Sequence, residues 1–156
     1  RASVSTIESH IAKSTNMGVK PDMVIIDYVD LLSSRKTNRE RKDEIDDIYT
    51  STKGLARQLN IPIWSVSQVN RAGAQDKVIQ GDKAAGSYDK IMITDFCMSL
   101  SRKKEDKVNG TGRFHIMKNR YGMDGLTFGV KADTSRGSIS TTKSNIRNIA
   151  LKYFFM

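Results

Sequence analysis

The chain has 156 residues, of which 38% are hydrophobic and 28% charged, which is typical of a single globular domain and excludes a disordered segment. Its 26 Lys and Arg against 17 Asp and Glu give a net charge of +9, which favours nucleic acid, and then an acidic membrane surface, over a merely soluble basic protein. No apolar run approaches the ~18 residues of a spanning helix, and the start lacks a signal-peptide pattern.

The first half of the chain predicts helix, strand, helix and strand. Ser5-Thr6-Ile7-Glu8 has the spacing of a capping box, so we expect a helix that begins there and ends before Gly18. The apolar run "MVIID" (23–27) predicts a strand buried on both faces, as in parallel sheets. Apolar steps of three and four predict a helix over 43–60, and "IPIWSVSQ" (61–68) predicts a second buried strand with Trp64 in the core. This order implies a parallel pair with a right-handed crossover.

The second half predicts a long loop followed by strand pairs. Residues 70–90 are polar and Gly-punctuated, as in a loop with at most a short helix. "DFCMSLSR" (95–102) and "GRFHIMKNR" (112–120) predict two strands joined by the charged turn "KKEDKVNG". "LTFGVKAD" and "GSISTT" predict a further pair, and the tail 143–156 is compatible with a short amphipathic helix. The single Cys97 predicts a reduced, buried thiol and favours a cytoplasmic setting.

Asp27 ends the first apolar strand, at the edge where α/β sheets bind ligands. In phosphate-loop NTPases an Asp in this setting holds Mg²⁺, mostly through water, and the metal bridges the β- and γ-phosphates. The alternative is an Asp that caps the following turn, because apolar strands ending in Asp are common. Asp30, three residues on, fits the start of that turn better than half of a metal pair.

Gln68 stands at the tip of the second strand, in "SVSQVNR". Beside a bound nucleotide, its neutral amide can hydrogen-bond a γ-phosphate or an attacking water. The alternative is an ordinary strand end, in which Gln68 satisfies backbone groups.

Lys118 and Arg120 in "IMKNRYG" follow an apolar strand segment and have the same facing parity. Two neighbouring cations repel unless an anion lies between them, so the pair suits phosphate oxygens. The alternative is two solvated cations at a hairpin corner.

Taken together, "KPDMVIIDY", "ARQLNIPIW", "SQVNR", "GSYDKIMITDF" and "KNRYG" resemble the C-terminal, RecA-like ATPase domain of DnaB-type replicative helicases, most closely the T-even phage branch, over about residues 7–140. The resemblance implies an α/β fold, a RecA-like P-loop NTPase core with a mostly parallel sheet and late antiparallel hairpins, N-terminally truncated. This portion would cover residues 1–142, with 143–156 as a C-terminal tail. It implies a hexameric motor that uses ATP and Mg²⁺ to translocate on single-stranded DNA and unwind duplexes, with primase or a helicase loader as further partners and no membrane.

The resemblance also implies roles for individual residues. Asp27 would be the Mg²⁺-coordinating acid of the Walker B motif, and Gln68 the sensor that links the γ-phosphate to a DNA-binding loop. Lys118 and Arg120 would act in the ATP site of the neighbouring subunit, as an arginine finger does. Loops after Asp27 and after Gln68 would hold DNA through Arg35, Lys36, Arg39, Arg41, Lys42, Arg71, Lys77 and Lys83. Since residues 33–42 and 69–87 include no aromatic residue, we expect contacts to the DNA backbone and little base stacking.

The chain departs from the family in two respects. Asp30 stands where members often have Gln or Gly, and we expect no role for it. No G-x-x-x-x-G-K-[ST] motif is present. We therefore expect the phosphate-binding loop and the catalytic glutamate to lie upstream of residue 1, and the chain alone to lack ATPase activity.

Two other functions remain open on the sequence alone. One is a RecA-type recombinase, which shares the fold, and the other is a non-catalytic basic module that binds nucleic acid or a partner ATPase. A metal site at His10 or His115 is not expected, because no Cys or second His lies at ligand spacing.

Overall fold

The computed structural model describes residues 2–34, 40–67 and 88–141. The described residues form two units: the first comprises 2–34, 40–67 and 92–94, and the second 88–91 and 95–141. None of the described helices is both long enough and apolar enough to cross a membrane.

The first unit begins with helix α1 (Val4–Asn16), which starts before the predicted capping box. Ser3 is the N-cap: its hydroxyl accepts from the Thr6 N–H at 3.4 Å, and the Thr6 hydroxyl accepts from the Ser3 N–H at 3.2 Å. The expectation of a box at Ser5 was therefore wrong, because Thr6 fills the position that Glu or Gln takes in the usual pattern. Gly18 follows the helix with φ +85°, as its sequence predicted.

A parallel strand pair and its crossover helix form the rest of this unit. Strands β1 (Val24–Ile26) and β2 (Ile63–Ser65) pair in parallel, with Ile26 opposite Ser65. Helix α2 (Arg41–Leu59) connects them and confirms the helix predicted over 43–60; a one-turn 3₁₀ helix, η1 (Val29–Leu31), follows β1. Helices, η1 and strands share a core whose buried members are Val4, Val29, Leu32, Ile48 and Leu55.

The two parallel strands are buried on one face only. Ile26 and Ile63 pack against the core, whereas Ile25 is 74% exposed and Trp64 is 50% exposed. The expectations of burial on both faces and of a core Trp64 were therefore wrong. Successive side chains of a strand point to opposite faces, and the described helices cover only the face with Ile26 and Ile63.

The second unit is built on a four-stranded antiparallel sheet in the order β3-β4-β5-β6. Its strands are β3 (Phe96–Ser101), β4 (Thr111–Asn119), β5 (Thr127–Asp133) and β6 (Ser138–Thr141), which confirms both predicted late strand pairs. Among the described strands, parallel pairing is confined to β1 and β2. A short helix, α3 (Tyr88–Ile93), ends the segment predicted as a loop.

The connection between β3 and β4 is helix α4 (Lys104–Asn109), where the sequence predicted only a charged turn. The Asp106 carboxylate accepts from the Lys103 N–H at 2.7 Å and from the Thr111 hydroxyl at 2.9 Å, and it forms an ion pair with Arg113. It thereby supplies an acceptor at the helix N-terminus and binds the start of β4. Gly110, with φ +61°, ends the helix.

These contacts make the second unit sensitive to acid. The Lys103 N–H and then the Arg113 side chain lower the pKa of Asp106 to about 2. Because the folded-state pKa lies below the ordinary value, the stabilisation is complete above about pH 4 and is lost as the pH falls toward 2. We expect Asp106→Asn to lower the melting temperature clearly at pH 7, and the difference from the native chain to shrink as the pH falls from about 4 to 2.

Thermal unfolding followed by circular dichroism measures this difference. Asp124→Asn, at an exposed position between β4 and β5, is the matched control and should leave the pH dependence unchanged. A constant difference at every pH would show that the ionised Asp106 carboxylate does not provide the stabilisation.

Candidate functional site

Asp27 directly follows β1, and its side chain is exposed. Within the described part of the chain its carboxylate has no hydrogen-bond or ion-pair partner. The next turn, η1, has Tyr28 as its N-cap residue and no side-chain cap, so Asp27 does not cap it. The peptide bond between Asp27 and Tyr28 is cis. The structure thus leaves both oxygens of Asp27 available at the carboxyl end of a parallel strand.

A lone exposed carboxylate suits one kind of metal site. No group of three His, Cys, Asp or Glu that could hold a metal ion occurs among residues 2–34, 40–67 and 88–141. Mg²⁺ keeps several waters and binds through one or two carboxylates together with substrate phosphates. Asp27 therefore fits an Mg²⁺–nucleotide site, and it does not fit a closed cage of protein ligands.

The ends of β1 and β2 are joined by the hydroxyl of Ser65. This hydroxyl donates to the Ile26 carbonyl at 2.9 Å and accepts from the Val29 N–H at 3.0 Å. The end of β2 is thereby held beside the turn that follows Asp27. Gln68 comes three residues after Ser65 and lies outside the described residues.

Asp30 has the contacts that the sequence did not reveal. It lies in the first turn of η1, as expected, but its side chain also accepts from the Ser67 hydroxyl at 2.6 Å and the Tyr49 hydroxyl at 3.1 Å. Its partners lie 37 and 19 residues away in sequence, so no local pattern could have indicated them. The only sequence feature that could have indicated these contacts was a carboxylate so close to the end of an apolar strand.

Lys118 and Arg120 lie at the end of β4 and contact different groups of their own chain. Lys118 Nζ donates to the Ile91 carbonyl in α3 at 3.0 Å. Arg120 forms an ion pair with Asp95 at 3.0 Å, and its N–H donates to the Asp95 carbonyl at 2.9 Å. The prediction that Lys118 and Arg120 bind the same anion stays a prediction, since in this structure each of the two side chains contacts a different acceptor.

Cys97 lies opposite Lys118 in the β3–β4 register and is half-buried, where the sequence predicted full burial. Burial raises the pKa of the Cys97 thiol, and the positive charge of Lys118 lowers it in part. On the same sheet, His115 Nδ1 shares a hydrogen bond with the Thr127 hydroxyl at 2.8 Å.

Only two of the predicted DNA-binding cations belong to the described residues. Arg41 and Lys42 lie exposed in the first turn of α2. Arg41 forms an ion pair with Glu44 at 3.2 Å and donates to the Asp30 carbonyl at 2.9 Å. The other predicted residues lie outside the described ranges: Arg35, Lys36, Arg39, Arg71, Lys77 and Lys83.

The fold belongs to the class of RecA-like ATPase domains, as solved structures confirm. Its defining features are the parallel strand pair that ends at Asp27 and the antiparallel strands that follow it in the chain. One solved structure, an ATPase domain, superimposes with a TM-score of 0.80 and 26% identity, over 91% of this chain and 52% of that one. A DnaB-like replicative helicase, solved in a study of its interactions with primase, shares the fold with a TM-score of 0.79 and 24% identity, over 91% of this chain and 35% of that one. The predicted RecA-like fold class is confirmed.

The chain belongs to the DnaB-like helicase C-terminal domain family, whose model matches residues 1–131. A replicative DNA helicase DnaB of Mycobacterium intracellulare is 30% identical over 121 residues, which are 71% of this chain and 21% of that protein. A probable plasmid replicative DNA helicase of Chlamydia muridarum is 44% identical over 104 residues, which are 65% of this chain and 22% of that protein. The resemblance read from the motifs is confirmed, and the chain spans about a fifth of these two relatives.

The position of Lys118 can be tested through Cys97, the single cysteine of the chain. Lys118→Met removes the charge that favours the thiolate, so we expect the pKa of Cys97 to rise further. Because the thiolate is the nucleophile, alkylation by iodoacetamide at about pH 8.5 should slow about two- to threefold. Mass spectrometry of the modified chain over time gives the rate.

Lys131→Met, at an exposed position of β5, is the matched control and should keep the native alkylation rate. Equal rates in Lys118→Met and the native chain would mean that the ammonium does not act on the thiol.

Proposed function

We propose that the chain is part of a hexameric replicative DNA helicase, which couples ATP hydrolysis to translocation on single-stranded DNA and to duplex unwinding. The observation that carries the proposal is the exposed Asp27 carboxylate at the end of a parallel strand, which has no partner among the described residues, in a chain of the DnaB-like helicase family. We place this protein in the cytoplasm of a bacterium or a phage-infected host. The narrower likeness to the T-even phage branch rests on the sequence motifs.

ATP with Mg²⁺ is the proposed cofactor pair. Asp27 would hold the metal through water, and when bound the ion neutralises negative charge on the β- and γ-phosphates. Gln68, three residues beyond the Ser65 bridge to β1, would hydrogen-bond the γ-phosphate or orient the attacking water. The hydroxyl of Ser65 supports this role, because it fixes the end of β2 against the turn after Asp27.

Lys118 and Arg120 would serve the ATP site of a neighbouring subunit. The Arg120–Asp95 ion pair has side chains that are 43% and 41% exposed, and ion pairs in such surroundings contribute about 0–1 kcal/mol. Arg120 can therefore leave Asp95 for phosphate oxygens at little cost in free energy. When each ATP site takes its cation from the next subunit in a head-to-tail arrangement, the subunits form a ring or a filament. The family favours the hexameric ring.

Single-stranded DNA is the proposed track, held by the basic segment before and within the start of α2 and by the segment after Gln68. Arg41 and Lys42 are exposed at the first turn of α2, where they can reach a phosphate backbone. Primase and a helicase loader are further proposed partners. The solved DnaB-like replicative helicase, studied for its interactions with primase, supports the former.

The two other functions are less well supported. A non-catalytic basic module gives no reason for an acid at the end of β1 that has no partner in the described part of the chain, and a RecA-type recombinase is disfavoured by the family match. Electron microscopy of the full-length protein separates the helicase from the recombinase, since closed rings support the former and ATP-dependent filaments on DNA support the latter.

The trans role of Arg120 can be tested in the full-length protein. We expect Arg120→Ala to lower the DNA-stimulated kcat for ATP hydrolysis by about 10³-fold, because the charge acts in the transition state. Mixing with Asp27→Asn subunits should restore part of the turnover, since some sites then receive a native acid and a native arginine from different subunits. A coupled ATPase assay measures both effects.

Arg136→Ala is the matched control for Arg120→Ala. Arg136 is 83% exposed in the β5–β6 turn and pairs only locally with Asp133, so its loss should leave kcat unchanged. Native turnover in Arg120→Ala would overturn the finger assignment.

The basic segment can be tested by its salt dependence. Replacing Arg39, Arg41 and Lys42 together by Gln should weaken binding of single-stranded DNA equally at all sequences, since phosphate contacts are not sequence-specific. The slope of log K against log salt should become shallower by about 2, as expected for three lost phosphate contacts. Fluorescence anisotropy over a salt series measures the slope.

Replacing Lys104, Lys107 and Lys131 by Gln removes the same charge from exposed positions of the second unit and should leave the slope unchanged. Equal slopes in the native protein and the first triple variant would place the DNA elsewhere.

A further inference from the structure

Asp30 lies at the centre of a polar cluster in the first unit, here called the Asp30 cluster and made of Asp30, Arg41, Tyr49 and Ser67. The Ser67 hydroxyl donates to Asp30 Oδ2 at 2.6 Å, and the Tyr49 hydroxyl donates to Asp30 Oδ1 at 3.1 Å. The Arg41 guanidinium donates to the Asp30 carbonyl at 2.9 Å. One residue thus connects three segments that are far apart in sequence.

Each bond of the cluster reaches a different part of the proposed motor. Ser67 directly precedes Gln68, the proposed γ-phosphate sensor. Arg41 belongs to the basic segment proposed to hold DNA. Tyr49 lies on α2 and packs against the core of the first unit, next to the buried Ile48.

The bond from Ser67 to the carboxylate is of the strong kind, whereas the Tyr49 bond, at 3.1 Å, is longer. Hydroxyl donors to an ionised carboxylate make short hydrogen bonds, roughly twice as strong as those between neutral groups, and the Ser67 bond has the short length expected of them. Because a carboxylate has two acceptor oxygens, Asp30 can hold Ser67 and Tyr49 at once. Tyr49 gives the cluster a fixed support, since its ring packs on the core.

We propose that Asp30 is a positioning residue that couples the nucleotide sensor to the DNA-holding segment. Its side chain fixes the backbone just before Gln68, while its carbonyl holds Arg41 at the start of α2. A displacement of Gln68 with nucleotide state then reaches Arg41 through one residue. This inference rests on the proposed function and adds a residue for which the sequence pattern indicated no role.

The test uses the full-length protein and compares kcat for ATP hydrolysis with and without single-stranded DNA. We expect Asp30→Ala and Ser67→Ala to lower the ratio of the two kcat values at least about fivefold, the lower end of coupling between sites. The KM for ATP should stay within about twofold, because neither side chain is placed on the nucleotide. Asp30→Asn, which keeps one carbonyl oxygen as acceptor, should lie between Asp30→Ala and the native protein.

The double variant Asp30→Ala/Ser67→Ala should be no worse than Asp30→Ala alone, because Asp30→Ala already removes the bond to Ser67. Gln58→Ala is the control: it deletes a 3.1 Å bond to Glu8 in the same unit and should keep the native ratio. A general loss of stability would lower the ratio in this control as well, whereas loss of coupling would not.

A native ratio in folded Asp30→Ala, or losses that add in the double variant, would overturn the coupling role while leaving the helicase assignment intact. If Asp30→Ala does not fold, Ser67→Ala, which removes a single hydroxyl, decides by the same ratio. A native protein whose ATP hydrolysis does not respond to DNA would instead overturn the proposed function, and this inference with it.

Discussion

The parallel pairing of β1 with β2 is the constraint on which the candidate site depends. Because parallel strands run the same way, the residues that follow both of them emerge at one edge of the sheet. The register, with Ile26 opposite Ser65, brings Asp27 and Asp30 near the chain that continues from β2. Helix α2 is the crossover that this topology requires, and its buried Ile48 and Leu55 hold it against the same core. Folding of the first unit therefore places Asp27 beside β2, the strand that precedes Gln68, the proposed sensor, in the sequence.

In the second unit the candidate site residues are cations, Lys118 and Arg120. Lys118 ends β4 with a bond to a main-chain carbonyl, and Arg120 rests on a half-exposed carboxylate. Water competes with such contacts, so neither cation is bound as firmly as Arg113, whose ion pair with Asp106 lies at the base of α4. Arg113 therefore has a structural role in the second unit, whereas the contact of Arg120 with Asp95 is more open to water.

Sequence patterns predicted the features that depend on residues close together in the chain. Helix α2 was predicted because its apolar positions recur over five turns, and Asp27 was singled out because it ends an apolar strand. Most of the failed predictions concern outcomes that depended on partners in other structural elements. Helix α4 exists because Asp106 finds Arg113 and Thr111 on the next strand, and Trp64 is half-exposed because the described helices cover only the other face of its strand. The contacts of Asp30 depend on the strand register, which no local pattern encodes.

Asp27 and Asp30 lie in one short segment, but their carboxylates differ in whether they have hydrogen-bond partners among the described residues. Both oxygens of Asp30 accept hydrogen bonds from hydroxyls of its own chain, which fixes the position of its side chain. Asp27 lies three residues earlier and has no partner among the described residues, so its charge remains available to a ligand. The hydroxyl of Ser65 fixes the backbone on both sides of Asp27, through its bonds to the Ile26 carbonyl and the Val29 N–H, and so helps to orient Asp27. An exposed carboxylate held in this way loses little conformational freedom when it engages a hydrated cation, and that is the property an Mg²⁺–nucleotide site requires of it.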